Sequence, residues 1–135
     1  MKKFLLDSDT CISFIRGNQN VKKSIALASS ENCFLSEITE AELRFGAERC
    51  NRRQREHGVV DLLCEKFTVL PITEVIRTFA AEKARLWTIG QKIADFDLFI
   101  GATVLYHGLI LVTNNTRHFE RMPSIRRENW MQVAE

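Results

Sequence analysis

Four short apolar runs, each free of charge and alternating with stretches of helical spacing, constrain this chain more than any other feature. They are Phe4-Leu5-Leu6, Cys33-Phe34-Leu35, Phe67-Thr68-Val69-Leu70 and Leu109-Ile110-Leu111-Val112. Apolar positions three and four apart predict helices over Thr10–Arg16, Val21–Ser29, Ile38–Arg49, Gln54–Lys66, Glu74–Ile89 and Phe96–Tyr106. Gly17, Gly90 and Gly108 supply stops. A weak last strand is expected around Ile125 to Trp130. A strand with one wet face alternates apolar and polar residues, whereas a continuously apolar one is covered on both sides, as in parallel sheets. The expectation is an α/β fold of three layers, α/β/α, around a parallel sheet of four to five short strands. At 135 residues the chain has the length of one domain, 1–135, able to bury a core without staples.

Composition excludes some classes and leaves others open. Apolar residues at 45% and charged residues at 27% are those of an ordinary globular protein, not a disordered one. No apolar stretch is long enough to cross a bilayer, and Lys2 and Lys3 give way after three apolar residues to Asp7, unlike a leader peptide. A cytoplasmic protein without a membrane partner is expected. Cys11, Cys33, Cys50 and Cys64 form no C-x-x-C pair, so buried free thiols are expected rather than a zinc site. A net charge of +2 does not by itself announce a nucleic-acid partner. The distribution says more: Arg44, Arg49, Arg52, Arg53 and Arg55 form one group, and Arg117, Arg121, Arg126 and Arg127 another. Arginine's planar fork suits phosphate, although a solvated helix face explains the first group equally well.

In a parallel sheet covered by helices, the working site lies beyond the carboxyl ends of the strands. The residues there are acids and amides. Asp7 ends the first run, with Ser8 and Asp9 behind it; Glu37, Glu40 and Glu42 follow the second; Asp95 and Asp97 open the helix before the fourth, which ends in Thr113-Asn114-Asn115-Thr116. Clustered carboxylates raise one another's pKa, and a divalent cation relieves that conflict. Magnesium or manganese favours such oxygen ligands and substrate phosphates. Local roles compete. Asp7 or Asp9 can cap the following helix, Thr39 to Glu42 matches a capping box, Asp95 suits an N-cap with Asp97 at the positive end of the dipole, and the asparagines suit turns.

The segments FLLDSDTCISFI, SEITEAELRFGAER, ADFDLFIGATVLYHGLILVTNNTRHFERM and ENW, in that order, resemble the VapC family of PIN-domain ribonuclease toxins along nearly the whole chain. The resemblance implies a PIN fold and a metal-dependent endoribonuclease, the toxin of a toxin–antitoxin pair. It implies Mg2+ or Mn2+ held by Asp7, by Glu42 of the A-E-L-x-x-G-A helix rather than Glu40, and by Asp97 of FDLFIGA. Ser8, Asp9 and Thr113 would orient ligands or waters around that ion. Many members carry an acid within a T-x-D turn where this chain has Asn115, which offers only a neutral oxygen to the catalytic group. Arg44, Arg117 and Arg121 are the candidates for gripping RNA phosphates. The implied partners are RNA (transfer RNA as a family-level expectation), a VapB-type antitoxin and a second copy of the chain.

Two alternatives stand beside this reading. Asp7-Ser8-Asp9-Thr10 is similar to the D-x-D-x-T opening of haloacid-dehalogenase-type phosphatases, but no G-D-x-x-x-D follows and no lysine stands after the third strand. A catalytically silent PIN module that binds RNA or protein is the other. No Walker A loop, G-x-G-x-x-G or G-x-S-x-G occurs, which leaves nucleotide binding and serine hydrolysis without a motif.

Overall fold

A computed structural model describes residues 1–132; the last three residues of the expected domain lie outside the described ones. Five strands form one sheet: β1 (Phe4–Leu6), β2 (Cys33–Ser36), β3 (Thr68–Leu70), β4 (Ile110–Val112) and β5 (Arg127–Glu128). The helices are α1 (Ser8–Ile15), α2 (Gln19–Ala28), α3 (Glu37–Glu48), α4 (Arg53–Lys66), α5 (Ile76–Thr88) and α6 (Asp95–His107). The expected weak strand is thus two residues long, and a short 3-10 turn at Thr73–Val75 replaces the predicted start of α5.

The sheet order is β3-β2-β1-β4-β5 and every pairing is parallel. The chain steps outward from β1 through β2 to β3, then crosses back to place β4 on the other side of β1. Strand order therefore reverses between β1 and β4, the crevice where α/β sheets place their ligands. Backbone alternation sorts the strand residues onto two cores. Phe4, Leu6, Ile110 and Val112 join Cys11, Val21, Ile25, Leu43, Val60 and Leu63 on one face. Leu5 and Leu111 join Leu86, Leu98, Ile100, Val104, Phe119 and Met122 on the other. Since Leu5, Leu6, Leu111 and Val112 are fully buried, each contributes roughly 1.5–3 kcal/mol. Cutting Leu5 or Leu111 to alanine should cost about 2–5 kcal/mol.

Two glycines bring α6 to its place. Gly108 caps the helix at φ +66°, turning the chain directly into β4. Gly101 lets α6 lie against the segment after β4: a Cβ there would stand 2.6 Å from Met122 Sδ and 3.1 Å from Ile125 Cδ1. Of the four cysteines, all free, Cys11 and Cys33 are buried and Cys64 is half-buried. Cys50 is exposed just past the end of α3, contrary to the expectation of buried thiols, because the helix ends at Glu48 and the turn that follows faces solvent.

Candidate active site

Each acid reaches the crevice through a local structural rule. Asp7 leaves β1 and becomes the N-cap of α1, its Oδ1 accepting from the Ser8 amide at 2.8 Å. The capping role and the site role therefore belong to the same carboxylate. The helix consequently begins at Ser8, two residues before the sequence expectation. Glu42 is free of the capping duty that the T-x-x-E spacing suggested: the N-cap of α3 is Ser36, whose hydroxyl accepts from the Ile38 amide at 3.1 Å. Thr39 lies inside the helix and is fully buried. Asp97 stands in the first turn of α6, whose N-cap is Ala94. Asp95 turns away to Lys83 at 2.8 Å.

Asp7 is the electrostatic centre. It is 8% exposed, and its pKa is pushed up to about 6, first by burial and then by the Asp9 and Asp97 carboxylates. The Ser8 amide and the Thr113 hydroxyl, which donates to Asp7 Oδ2 at 3.0 Å, only partly offset this. Glu42 is also raised, by burial and by Asp7, Asp97 and Asp9, against the favourable neighbouring Ser8 hydroxyl. Asp9 spans the crevice by backbone contacts: its Oδ1 accepts from the Thr10 amide at 2.7 Å and its Oδ2 from the Asn114 amide at 2.9 Å. The structure thus brings Asp7, Ser8, Asp9, Glu42, Asp97 and Thr113 into one electrostatic neighbourhood.

Asn115 is exposed, and its backbone amide donates to Thr113 Oγ1 at 3.1 Å. The Asn114 side chain accepts from Asn129 Nδ2 at 2.9 Å, which gives the ENW segment a place at the site's rim. Among the described residues, no three acid, histidine or cysteine side chains already stand as a finished metal cage. The fit to a cation therefore rests on donor chemistry. Asp7 and Glu42 are hard oxygen donors held at raised pKa by burial and by neighbouring carboxylates, and a divalent cation is a partner that offsets both.

Arg44, expected near RNA, is committed elsewhere. Its guanidinium donates to Asp61 at 2.7 Å, Glu40 at 3.2 Å and the His57 carbonyl at 3.0 Å. It joins α3 to α4, because residues 40 and 44 share one face of α3 and Glu42 lies on another. Arg117 and Arg121 do stand beside the site, in one concavity with Asp97. Two residues of that neighbourhood were not among the sequence candidates. His118 places Nδ1 3.3 Å from Asp97 Oδ2, and Lys92 lines the same concavity. The basic group after β4 was a signal for the first; nothing in the sequence marked Lys92.

Comparisons with known proteins bear on the chain as a whole. The PIN domain family model matches residues 4–125. A tRNA(fMet)-specific endonuclease VapC of Shigella flexneri is 33% identical over 96% of this chain and 99% of its own length. A protein of the same name from Salmonella typhimurium is 35% identical, with the same coverage of both chains. The crystal structure of DNA-bound VapBC from Salmonella typhimurium contains a chain that superposes with a TM-score of 0.88 at 34% identity, covering 96% of this chain and 99% of that one. FitAcB from Neisseria gonorrhoeae gives a TM-score of 0.81 at 26% identity over 96% of this chain and 99% of its own. With five parallel strands in the order 3-2-1-4-5, acids gathered at the β1–β4 crevice and relatives matched from end to end, this chain belongs to the PIN-domain family, in its VapC branch.

Proposed function

We propose that the chain is an endoribonuclease acting as the toxin of a toxin–antitoxin pair, working with a magnesium or manganese ion at the β1–β4 crevice. The observation that carries this reading is the burial of Asp7 and Glu42 in one crevice with Asp9 and Asp97, which raises both carboxyls. Asp7, Glu42 and Asp97 would hold the ion. Such an ion activates water and offsets the charge that develops on phosphorus oxygens. Thr113 keeps Asp7 in orientation from behind, Ser8 does the same for Glu42, and Asp9 fixes the turn after β4. Asn115 offers a neutral amide oxygen at the rim in place of a further charge.

RNA is the substrate this reading assigns. Transfer RNA is the specific choice, because the two VapC relatives above are named for tRNA(fMet). The Salmonella structure is of a VapBC assembly, so a VapB-type antitoxin is the natural partner. The exposed Trp87, Phe96 and Tyr106 on α5 and α6 suit a second copy of the chain. No helix among the described residues is long and apolar enough to cross a membrane, and the cytoplasm, where RNA and antitoxin meet, is the assigned compartment.

Purified protein should cleave transfer RNA with magnesium or manganese, and lose that activity in EDTA. Expressed alone it should arrest bacterial growth, and a cognate antitoxin should restore it. Undiminished cleavage in excess chelator, with contaminating nucleases removed, overturns the metal-dependent reading.

A further inference from the structure

The cations of this chain fall into two kinds. Arg44, Lys83 and Arg85 each lie within 4 Å of a carboxylate. Lys92, Arg117 and Arg121 have no such partner among the described residues, although they share one concavity of about 430 Å³ with Asp97, His118 and Glu120. Two separate segments form its walls: the connection between α5 and α6, which carries Lys92, and the 3-10 turn Thr116–Phe119 after β4, which carries Arg117 and His118. Arg121 ties the walls together. Its guanidinium donates to the Lys92 carbonyl, and its own carbonyl accepts from Arg85 Nη2 at 3.1 Å. The walls are therefore held in register before any ligand arrives.

The position of this concavity matters as much as its charge. Asp97 forms part of its lining, so the concavity opens beside the acids of the crevice. Cations left unpaired in a fixed hollow beside an acidic centre attract a polyanion and keep its flanking charge away from the carboxylates. We propose that Lys92 and Arg117 form a subsite for the RNA backbone phosphate adjacent to the one being cut, with Arg121 as the residue that positions the Lys92 wall. This deepens the reading above and rests on it for the identity of the polyanion. Arg53 of α4 is exposed and does not line this concavity, so it serves as a control.

The test is binding first and cleavage second. A short fluorescein-labelled single-stranded RNA is titrated in EDTA, over a range of salt, against the wild-type protein, Lys92→Ala, Arg117→Ala, the double variant and Arg53→Ala. Each of the first two should weaken binding about tenfold and flatten the salt dependence by about 0.7 in log–log slope, as loss of one phosphate contact to a single strand does. Arg53→Ala should match the wild type. Lys92→Ala and Arg117→Ala binding within twofold of wild type, with unchanged slopes, overturns the subsite. So does polyglutamate of matched charge that competes as well as RNA, since the hollow would then serve an acidic polypeptide. Cleavage with magnesium separates the two ideas. Normal cleavage by both variants with unchanged binding leaves the nuclease and removes the subsite, whereas lost affinity without cleavage by any form keeps the subsite and removes the nuclease.

Discussion

Two polar networks lie on different faces of α3, built from the same kinds of residue and solved in opposite ways. Toward α4, Arg44 meets Glu40 and Asp61, while His57 Nε2 meets Glu48 at 2.7 Å, so the acids there have cationic or imidazole partners. Asp61 first and then Glu40 raise the Arg44 pKa, the mark of a compensated pair. Toward β1, Glu42 faces Asp7, Asp9 and Asp97, and what offsets them is the neutral Ser8 hydroxyl. Chains compensate charge where it serves the fold and leave it in conflict where a ligand is to settle it. A helix that carries both solutions on neighbouring residues separates the two purposes more sharply than the count of acids does.

The largest expected effect breaks the comparison most directly. Asp7→Asn, Glu42→Gln and Asp97→Asn should each lower RNA cleavage by about a hundredfold or more, the scale of losing a key electrostatic contact in a reacting site. Glu40→Gln should stay within a few-fold. If instead Glu40→Gln were inactive and Glu42→Gln active in the same assay, the compensated network would be the working one.

The next effect sharpens it through stability. Because the folded pKa of Asp7 is raised from 3.8 to about 6, its contribution to stability is complete below 3.8 and is lost as pH rises through about 6. At neutral pH the ionised carboxylate then costs the metal-free protein on the order of 3 kcal/mol, taking 1.36 kcal/mol per pH unit. Asp7→Asn should therefore raise the urea midpoint at pH 7.5 in EDTA and make almost no difference at pH 3.5. Metal affinity, which needs the ionised form, should fall about tenfold per pH unit below about 6. An Asp7→Asn protein less stable than wild type at pH 7.5 would remove the idea of stored conflict.

Smallest is the compensated side. Arg44→Ala should cost about 0.5–1 kcal/mol in urea unfolding, the usual worth of a partly exposed ion pair, with cleavage unchanged. A loss of cleavage comparable to Glu42→Gln would return Arg44 to the substrate.

The fold was legible because its signals are local and redundant. Every apolar run became a strand within a residue or two, and Gly108 ended α6 where the spacing said it would. The acids were legible as a set because strand ends in a parallel sheet must meet. What stayed hidden depended on distant segments. Whether Arg44 belongs to RNA or to Asp61 is decided by how α4 returns along α3, which no window around Arg44 contains. Lys92 sits in a connection without periodicity, and its neighbour Arg117 is remote in sequence. The capping-box spacing at Thr39 misled for a related reason: Ser36 had already capped the helix, and a four-residue motif does not reveal where the strand before it ends.

The Thr113 hydroxyl reaches back 106 positions to Asp7, while the Asn114 amide reaches back 105 to Asp9. On the ribosome this separation becomes a delay. A nascent chain grows at about 5–20 residues per second, and β1 can pair with β2 long before β4 exists. Until residues 110–115 emerge, the central strand has an open edge on one side and Asp7 lacks the hydroxyl that orients it. A partly made chain therefore carries Asp7 and Glu42 before the crevice around them is complete. The β1–β4 crevice is thus the last part of the sheet's centre to close, and the geometry of its acids is set only near the end of synthesis.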